Sequence, residues 1–475
     1  MKKIAVFALI FTAYLSYGQK VTISGQNKTY SGRVLKLYTF IDRITFKPTL
    51  LDSCTVDSAG NFSFSVSPST IMQVFVDLTS RRGFFYIVPG HQYHVDIPDY
   101  KPLTEDEFLN PYFQPQYIRL PVINTDTNNL NYKIFLFDKY YNITINQLVI
   151  RSLINKDSVE YAISLLKRYA PKDSSEFYKN YCKYRFGSIR FATYYKDAWK
   201  FGQEYLLHQK PLLYNPAYMS LFNNVFDNCL GPMKVFFPVH NILINLKTGN
   251  FQAMVDSFIS LDTATNHQTA QLILLKGLHD LFYDQTYLQE NIILTIENAT
   301  KTITDSNLLL ITHNILDKIT ALRPGYAAPD FNLPGHLGIH KSLKNYRGKF
   351  IYLNFCHPKS LACQEQLPLL KRYAQGGPDD FTVVTILYGV DKKQFKEFLK
   401  KHKDYNWPIL RAGNNHQLLK KYKVVAFPTY YLIDPDGKLL TSPAPAPTEN
   451  FDEIFLSEYK KWHKEHAKQP GIRTP

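Results

Sequence analysis

Between Cys356 and Cys363 the chain places two thiols, the imidazole of His357, the ammonium of Lys359 and the hydroxyl of Ser360. Thiolates beside a base or a cation are the ingredients of thiol–disulfide exchange. Upstream, the apolar, β-prone run Ile351–Phe355 reads as a buried central strand. Downstream, Leu367, Leu369 and Leu370 give a helical pattern, with a kink expected at Pro368. A strand feeding a helix start is where a Cys-x-x-Cys redox motif would sit, because the helix N-terminus lowers the pKa of a thiol placed there.

Motifs on both sides of this stretch agree in order with one family. They are Ala327-Ala328-Pro329-Asp330-Phe331-Asn332-Leu333, Tyr346-Arg347-Gly348-Lys349 before Ile351–Phe355, and Ala426-Phe427-Pro428-Thr429-Tyr430-Tyr431-Leu432-Ile433-Asp434 before Asp436-Gly437-Lys438. From Gly325 to about Lys461 the chain resembles the TlpA-like branch of the thioredoxin superfamily. The resemblance implies an α/β thioredoxin-like fold, a cis peptide bond before Pro428, thiol–disulfide oxidoreductase activity, and protein thiols or disulfides as partners. It also implies a departure. Aligned on Asn354-Phe355 and on Glu365-Gln366-Leu367-Pro368, the attacking cysteine of the family falls on Ser360 and its second cysteine on Cys363. The two tryptophans near the family's motif fall on Cys356 and Lys359. The pattern is Ser-x-x-Cys, and a serine hydroxyl cannot be the attacking thiolate.

Four readings of the site residues follow. In the first, Ser360 only caps the helix, its hydroxyl accepting from the Cys363 N–H, and Cys363 only packs; the module then binds polypeptide without redox chemistry. In the second, the loop folds back and Cys356 and Cys363 form a displaced redox pair, provided their Cα atoms come within about 7 Å. The third is one-cysteine peroxidase chemistry, because Ser-x-x-Cys also resembles the Thr/Ser-x-x-Cys of peroxiredoxins. The fourth is a copper(I) site of Cys356, His357 and Cys363. The site residues are Cys363, Cys356, Ser360 and Pro428. No cofactor and no metal is assigned, and exchange is expected to be weak, displaced to Cys356 and Cys363, or lost. His336, His340 and His416 read as scattered surface residues.

Met1–Gly18 has the order of a secretory leader: Lys2 and Lys3, the apolar Ile4–Leu15, then Ser16-Tyr17-Gly18. An exported, periplasmic chain with its leader removed is expected. No later run has the length of a transmembrane helix. Five cysteines in 475 residues are too few for a disulfide scaffold, and the odd number leaves at least one unpaired. Cys182 and Cys229 lie on helical patterns, as buried thiols or as a mutual disulfide. The net charge of +15 clusters at Lys392–Lys403, Lys420–Lys423 and Lys460–Lys468. Those clusters read as solvated helix faces or as attraction to anionic lipid or acidic partners. No nucleic-acid recognition motif is present.

The elements that must position the site fall into three segments. Residues 19–100 show short β-prone runs separated by turn signals, including an expected hairpin at Asp57–Asn61, and predict a β-sandwich. Such a β segment resembles the N-terminal domain joined to TlpA-like domains in bacterial envelope proteins. Residues 101–322 open with Pro102, Pro111, Pro115 and Pro121, then show apolar stripes of helical period, as at Leu274, Leu275, Leu278, Leu281 and Phe282. Residues 323–475 alternate strands and helices, with Ser442–Pro447 expected as a stiff extended connector. The fold class is multidomain α+β: all-β, then α-helical, then α/β thioredoxin-like.

Overall fold

Alternating apolar residues in the N-terminal region build two sheets that share one core. The computed structural model describes residues 18–104, 107, 113–123, 129–150, 155–170, 175–193, 198–231, 239–284 and 286–467. The leader read at Met1–Gly18 lies outside them except for Gly18. The strands here are β1 (Val21–Gln26), β2 (Val34–Thr39), β3 (Thr49–Thr55), β4 (Asn61–Val66), β5 (Met72–Asp77), β6 (Arg81–Ile87), β7 (Gln92–His94) and β8 (Gln116–Arg119). They pair in the orders β4-β1-β7 and β3-β2-β5-β6-β8. Val21 and Ile23 of β1 and Phe62 and Phe64 of β4 face the same core as Leu35, Val74 and Phe85 of the other sheet. This is the two-residue period of strands buried on one face. The Asp57–Asn61 loop is not a hairpin. Gly60 holds φ +89°, as a tight turn requires, but β3 and β4 go to different sheets. The loop therefore turns the corner of the sandwich.

The central region is helical: α1 (Leu130–Ile150), α2 (Lys156–Leu166), α3 (Glu176–Phe191), α4 (Ala198–Gly202), α5 (Pro216–Val225), α6 (Val239–Thr248), α7 (Phe251–Leu261), α8 (His267–Leu281), α9 (Gln289–Thr302) and α10 (Ser306–Thr320). Asparagines at 155, 215, 250 and 266 cap helix starts by accepting backbone N–H groups. Within the segment expected to be helical, residues 151–154, 171–174, 194–197 and 232–238 are among those outside the described residues. Cys182 and Cys229 are buried and remain thiols.

The chain divides into two compact units, Met1–Pro102 with Gln114–Ile319, and Leu103–Phe113 with Thr320–Pro475. Inside the first, Asn131 of α1 clasps the backbone of β6: the Tyr86 N–H donates to Asn131 Oδ1 at 2.7 Å, and Asn131 Nδ2 donates to the Tyr86 carbonyl at 2.8 Å.

The second unit is α/β. Its strands are β9 (Asn332–Pro334), β10 (His340–Ser342), β11 (Phe350–Cys356), β12 (Phe381–Tyr388), β13 (Ile409–Gly413), β14 (Thr429–Ile433) and β15 (Leu439–Ala444). Its helices are α11 (Leu361–Gly376), α12 (Lys392–Lys401), α13 (His416–Lys421) and α14 (Phe451–His466). The main sheet runs β13-β12-β11-β14-β15. β12 and β13 join parallel, β14 and β15 antiparallel. Every residue of the central β11 is buried. Ile351, Leu353 and Phe355 enter one core and Phe350, Tyr352 and Cys356 the other. Two expectations change. The motif Ala327–Leu333 resembles the family's entry strand, but only Asn332 and Leu333 of it are in a strand, β9, which pairs with β10 outside the main sheet. The expected connector at Ser442–Pro447 begins as part of β15, an edge strand, where a proline leaves no ladder donor missing.

Candidate functional site

Cys356 is the last residue of β11, and the two-residue period turns it to the face of Phe350 and Tyr352. On α11, Cys363, Leu367 and Leu370 recur at helical spacing and form the buried stripe that packs on that face. The two cysteines are therefore brought together by the contacts that dock helix on strand. They are joined as a disulfide, with Cα atoms 5.8 Å apart, inside the range that permits one. Both are 0% exposed.

Ser360 is the N-cap residue of α11, yet its hydroxyl makes no cap bond. It donates instead to the carbonyl of Phe427 at 3.1 Å. The expected bond to the Cys363 N–H is thus replaced by a tie between the helix start and the loop that precedes β14. The Phe427–Pro428 peptide is cis. Phe355 pairs with Thr429 across the antiparallel ladder, so continuing that register by one residue sets Pro428 opposite Cys356. All four residues read from the sequence as a site therefore meet at one end of β11.

The turn between the cysteines is pinned locally. The Ser360 N–H donates to the His357 carbonyl, and Gln364 Nε2 to the Pro358 carbonyl at 2.7 Å. His357 Nδ1 accepts from the Lys359 N–H at 3.2 Å. Its ring lies 5.9 Å from that of Phe427. Gly389 holds φ +71°, a conformation that favours glycine, and a Cβ there would also stand 2.5 Å from His357 Nε2 unless that ring moved.

Tyr388 and Gly389 do not stand out in the sequence, and His416 reads there as a surface residue. Tyr388 stacks on Phe427 with ring centroids 5.6 Å apart, and its hydroxyl lies 3.3 Å from His416 Nδ1. Burial, with help from Lys420, pulls the His416 imidazole down to about 4, so His416 is a half-buried neutral ring and not a surface residue. His336 and His340 are exposed, as expected. Among the described residues no group of three His, Cys, Asp or Glu side chains is placed to hold a metal ion.

A model of the AhpC/TSA family matches residues 324–442. The chain is 29% identical over 125 residues to the thioredoxin-like protein YneN of Bacillus subtilis, covering 25% of this chain and 71% of that one. It is also 29% identical over 130 residues to the thiol-disulfide oxidoreductase ResA of Geobacillus thermodenitrificans, covering 26% and 72%. The second unit carries a thioredoxin-fold domain of the thiol–disulfide oxidoreductase superfamily. Among solved structures, the pneumococcal exposed lipoprotein thioredoxin Etrx1 of Streptococcus pneumoniae shares 30% identity over 28% of this chain and 99% of that chain, with a TM-score of 0.25. The family match to the thioredoxin-fold domain includes Cys356, Ser360, Cys363 and Pro428 and leaves the β and helical regions outside. Among the described residues no helix is long and apolar enough to cross a membrane.

Proposed function

We propose that this chain is an exported, periplasmic TlpA-type thioredoxin-like protein whose exchange chemistry has moved from Cys-x-x-Cys to the pair Cys356 and Cys363. The pairing of these two residues, 5.8 Å apart at Cα, carries the reading. The order of Met1–Gly18 supports export. A β segment at 19–100, a helical segment at 101–322 and a thioredoxin-like segment at 323–475 are the proposed domains.

In the oxidised chain a thiolate of a protein partner attacks Sγ of Cys356. The Cys356–Cys363 bond breaks, a mixed disulfide forms at Cys356, and Cys363 leaves as a thiolate. Cys363 is the third residue of α11, where the N-terminal turn favours the anion. A second thiol of the partner then attacks the mixed disulfide. The partner leaves oxidised, and both cysteines hold the two electrons as thiols after protonation. Ser360 is a positioning residue that holds the helix start to the Phe427 carbonyl, and Pro428 walls the pair from the other strand. With both sulfurs at 0% exposure, attack requires the His357–Leu361 turn to move aside, so exchange is slow beside an open Cys-x-x-Cys.

The test is turnover of a model disulfide by the full chain with dithiothreitol as reductant. Measurable turnover by the natural protein, abolished in Cys356→Ala, is expected. No turnover, or turnover unchanged in Cys356→Ala, would mean a redox-silent polypeptide-binding module and overturn the reading.

A further inference from the structure

Away from the cysteines, the second unit holds a cavity of about 890 Å³ between the Pro334–His340 turn, helix α12 and the edge strand β13. Its charge is one-sided. Lys392, Lys396, Lys400, Lys403 and Arg411 line it, three more of its lining residues are histidines, and none is an aspartate or glutamate. Lys392, Lys396 and Lys400 follow at four-residue spacing, where like charges repel along a helix. Two nearby carboxylates are engaged elsewhere, Asp404 pairing with Lys371 at 3.3 Å and Asp391 capping α12 by accepting the Gln394 N–H, and Glu397 of α12 does not line the cavity.

The cavity is also apolar in a way a merely solvated lysine face is not. Phe395 and Leu399 come from the same helix face as the lysines. Tyr405 also lines the cavity, and because its ring is stacked on His402 and Trp407 at 4.7 and 4.6 Å it offers an edge held in place. On the turn, Leu337 is 83% exposed and sits at φ 60°, a conformation that suits glycine. Neither the backbone nor a core accounts for a leucine there, and its side chain lines the cavity.

We propose that this cavity binds a small anionic amphiphile, an alkyl or aryl phosphate or carboxylate. The anion lies among the α12 lysines and Arg411, and the carbon part lies against Phe395, Leu399, Tyr405 and Leu337. The volume falls in the range of small-molecule sites, which combine apolar walls with a few charged groups. The site shares no lining residue with the disulfide and does not depend on the redox reading.

The experiment is calorimetric titration of the full chain with hexyl phosphate at about 50 mM salt, where screening is modest. Hexanol and inorganic phosphate, each offering half of the ligand, should bind at least about tenfold more weakly. The surface double variant K396E/K400E, with its fold checked by circular dichroism, should lose about tenfold or more in affinity for hexyl phosphate. Leu337→Gly, which suits the backbone, should weaken hexyl phosphate about threefold and leave inorganic phosphate unchanged. Hexyl phosphate binding no tighter than inorganic phosphate would overturn the proposal. So would unchanged affinity in K396E/K400E, or binding only to vesicles of phosphatidylglycerol and phosphatidylcholine with none to hexyl phosphate.

Discussion

Cys182 and Cys229 in the helical region and Cys356 and Cys363 in the thioredoxin-fold domain are all at most 3% exposed, yet the first two remain thiols and the second two are joined. Burial is common to both regions, so it does not decide the outcome. Cys182 lies inside α3, and burial pushes its thiol up to about 12, which makes it a packing residue with little thiolate to offer. Cys229 packs under α8, its Sγ 3.9 Å from the Ile273 carbonyl. Cys356 and Cys363 instead sit at the end of a strand and in the first turn of the next helix, on the two surfaces that dock. A short turn joins them, and that turn is the only chain segment between the pair. Position along the elements, more than depth, separates a disulfide-bonded pair from two core thiols.

The largest expected effect tests whether the domain lacks only an accessible thiol. Ser360→Cys restores Cys-x-x-Cys at a helix start already facing Pro428. Reductase turnover should rise by about a hundredfold or more, since an exposed helix-start thiol is substantially ionised at neutral pH and a hydroxyl is not. A variant no faster than the natural chain would show that the loss lies in the scaffold.

Thiol counting tests the difference between the two cysteine pairs directly. Denatured without reductant, the chain should take up alkylating reagent at Cys54, Cys182 and Cys229 and not at Cys356 or Cys363; prior reduction should add those two. Labelling of Cys356 and Cys363 without reductant would remove the distinction between the regions. Stability gives a smaller signal. Losing the short Cys356–Cys363 loop should cost the second unit about 2 kcal/mol in urea unfolding. Dithiothreitol should reproduce that loss in the natural chain and change nothing in a Cys356→Ala/Cys363→Ala variant. Cys182→Ala should cost about 1 kcal/mol through a small cavity, with no response to dithiothreitol.

Much of the thioredoxin-fold site was legible because its parts are local. The run Ile351–Phe355, the turn and the Leu367–Leu370 stripe give strand, loop and helix, while the pairing of Cys356 with Cys363 is one of four readings the sequence leaves open. What escaped was long-range. Ser360 obeys the cap rule in position but donates to Phe427, 67 positions away in the chain, because a tertiary acceptor was in reach of the hydroxyl. Tyr388 stacks on Phe427 from another strand and His416 in turn lies against the Tyr388 hydroxyl, and no spacing signals that. In the β region the turn chemistry at Gly60 was readable, while the sheet each flanking strand joins was not. Strand β8 was hidden between Pro115 and Pro121, since prolines mask a short edge strand that pairs on one side only.

The smallest effect separates the two units by pH. His416 titrates near 4 in the folded chain and near its ordinary value of 6.5 when unfolded. A base whose folded pKa is lowered binds more protons in the unfolded state between those values. Its contribution to stability is whole above about 6.5 and is lost as pH falls toward 4. The ring is only partly buried, so the loss should be on the order of 1 kcal/mol after screening. In the first unit, burial alone would raise the Asp280 carboxyl, but hydrogen bonds from His279 and Lys276 outweigh it and hold it below the usual carboxylate value. That contribution is present above the ordinary pKa and is lost only as pH falls below it. Urea unfolding followed between pH 7 and 4.5 should therefore weaken the second unit through His416 while Asp280 still supports the first. His416→Asn should flatten that slope in the second unit and leave the first untouched. A natural chain whose second unit holds its midpoint from pH 7 to 4.5, or a His416→Asn variant with the same slope, would detach the His416 ring from the stability of the site.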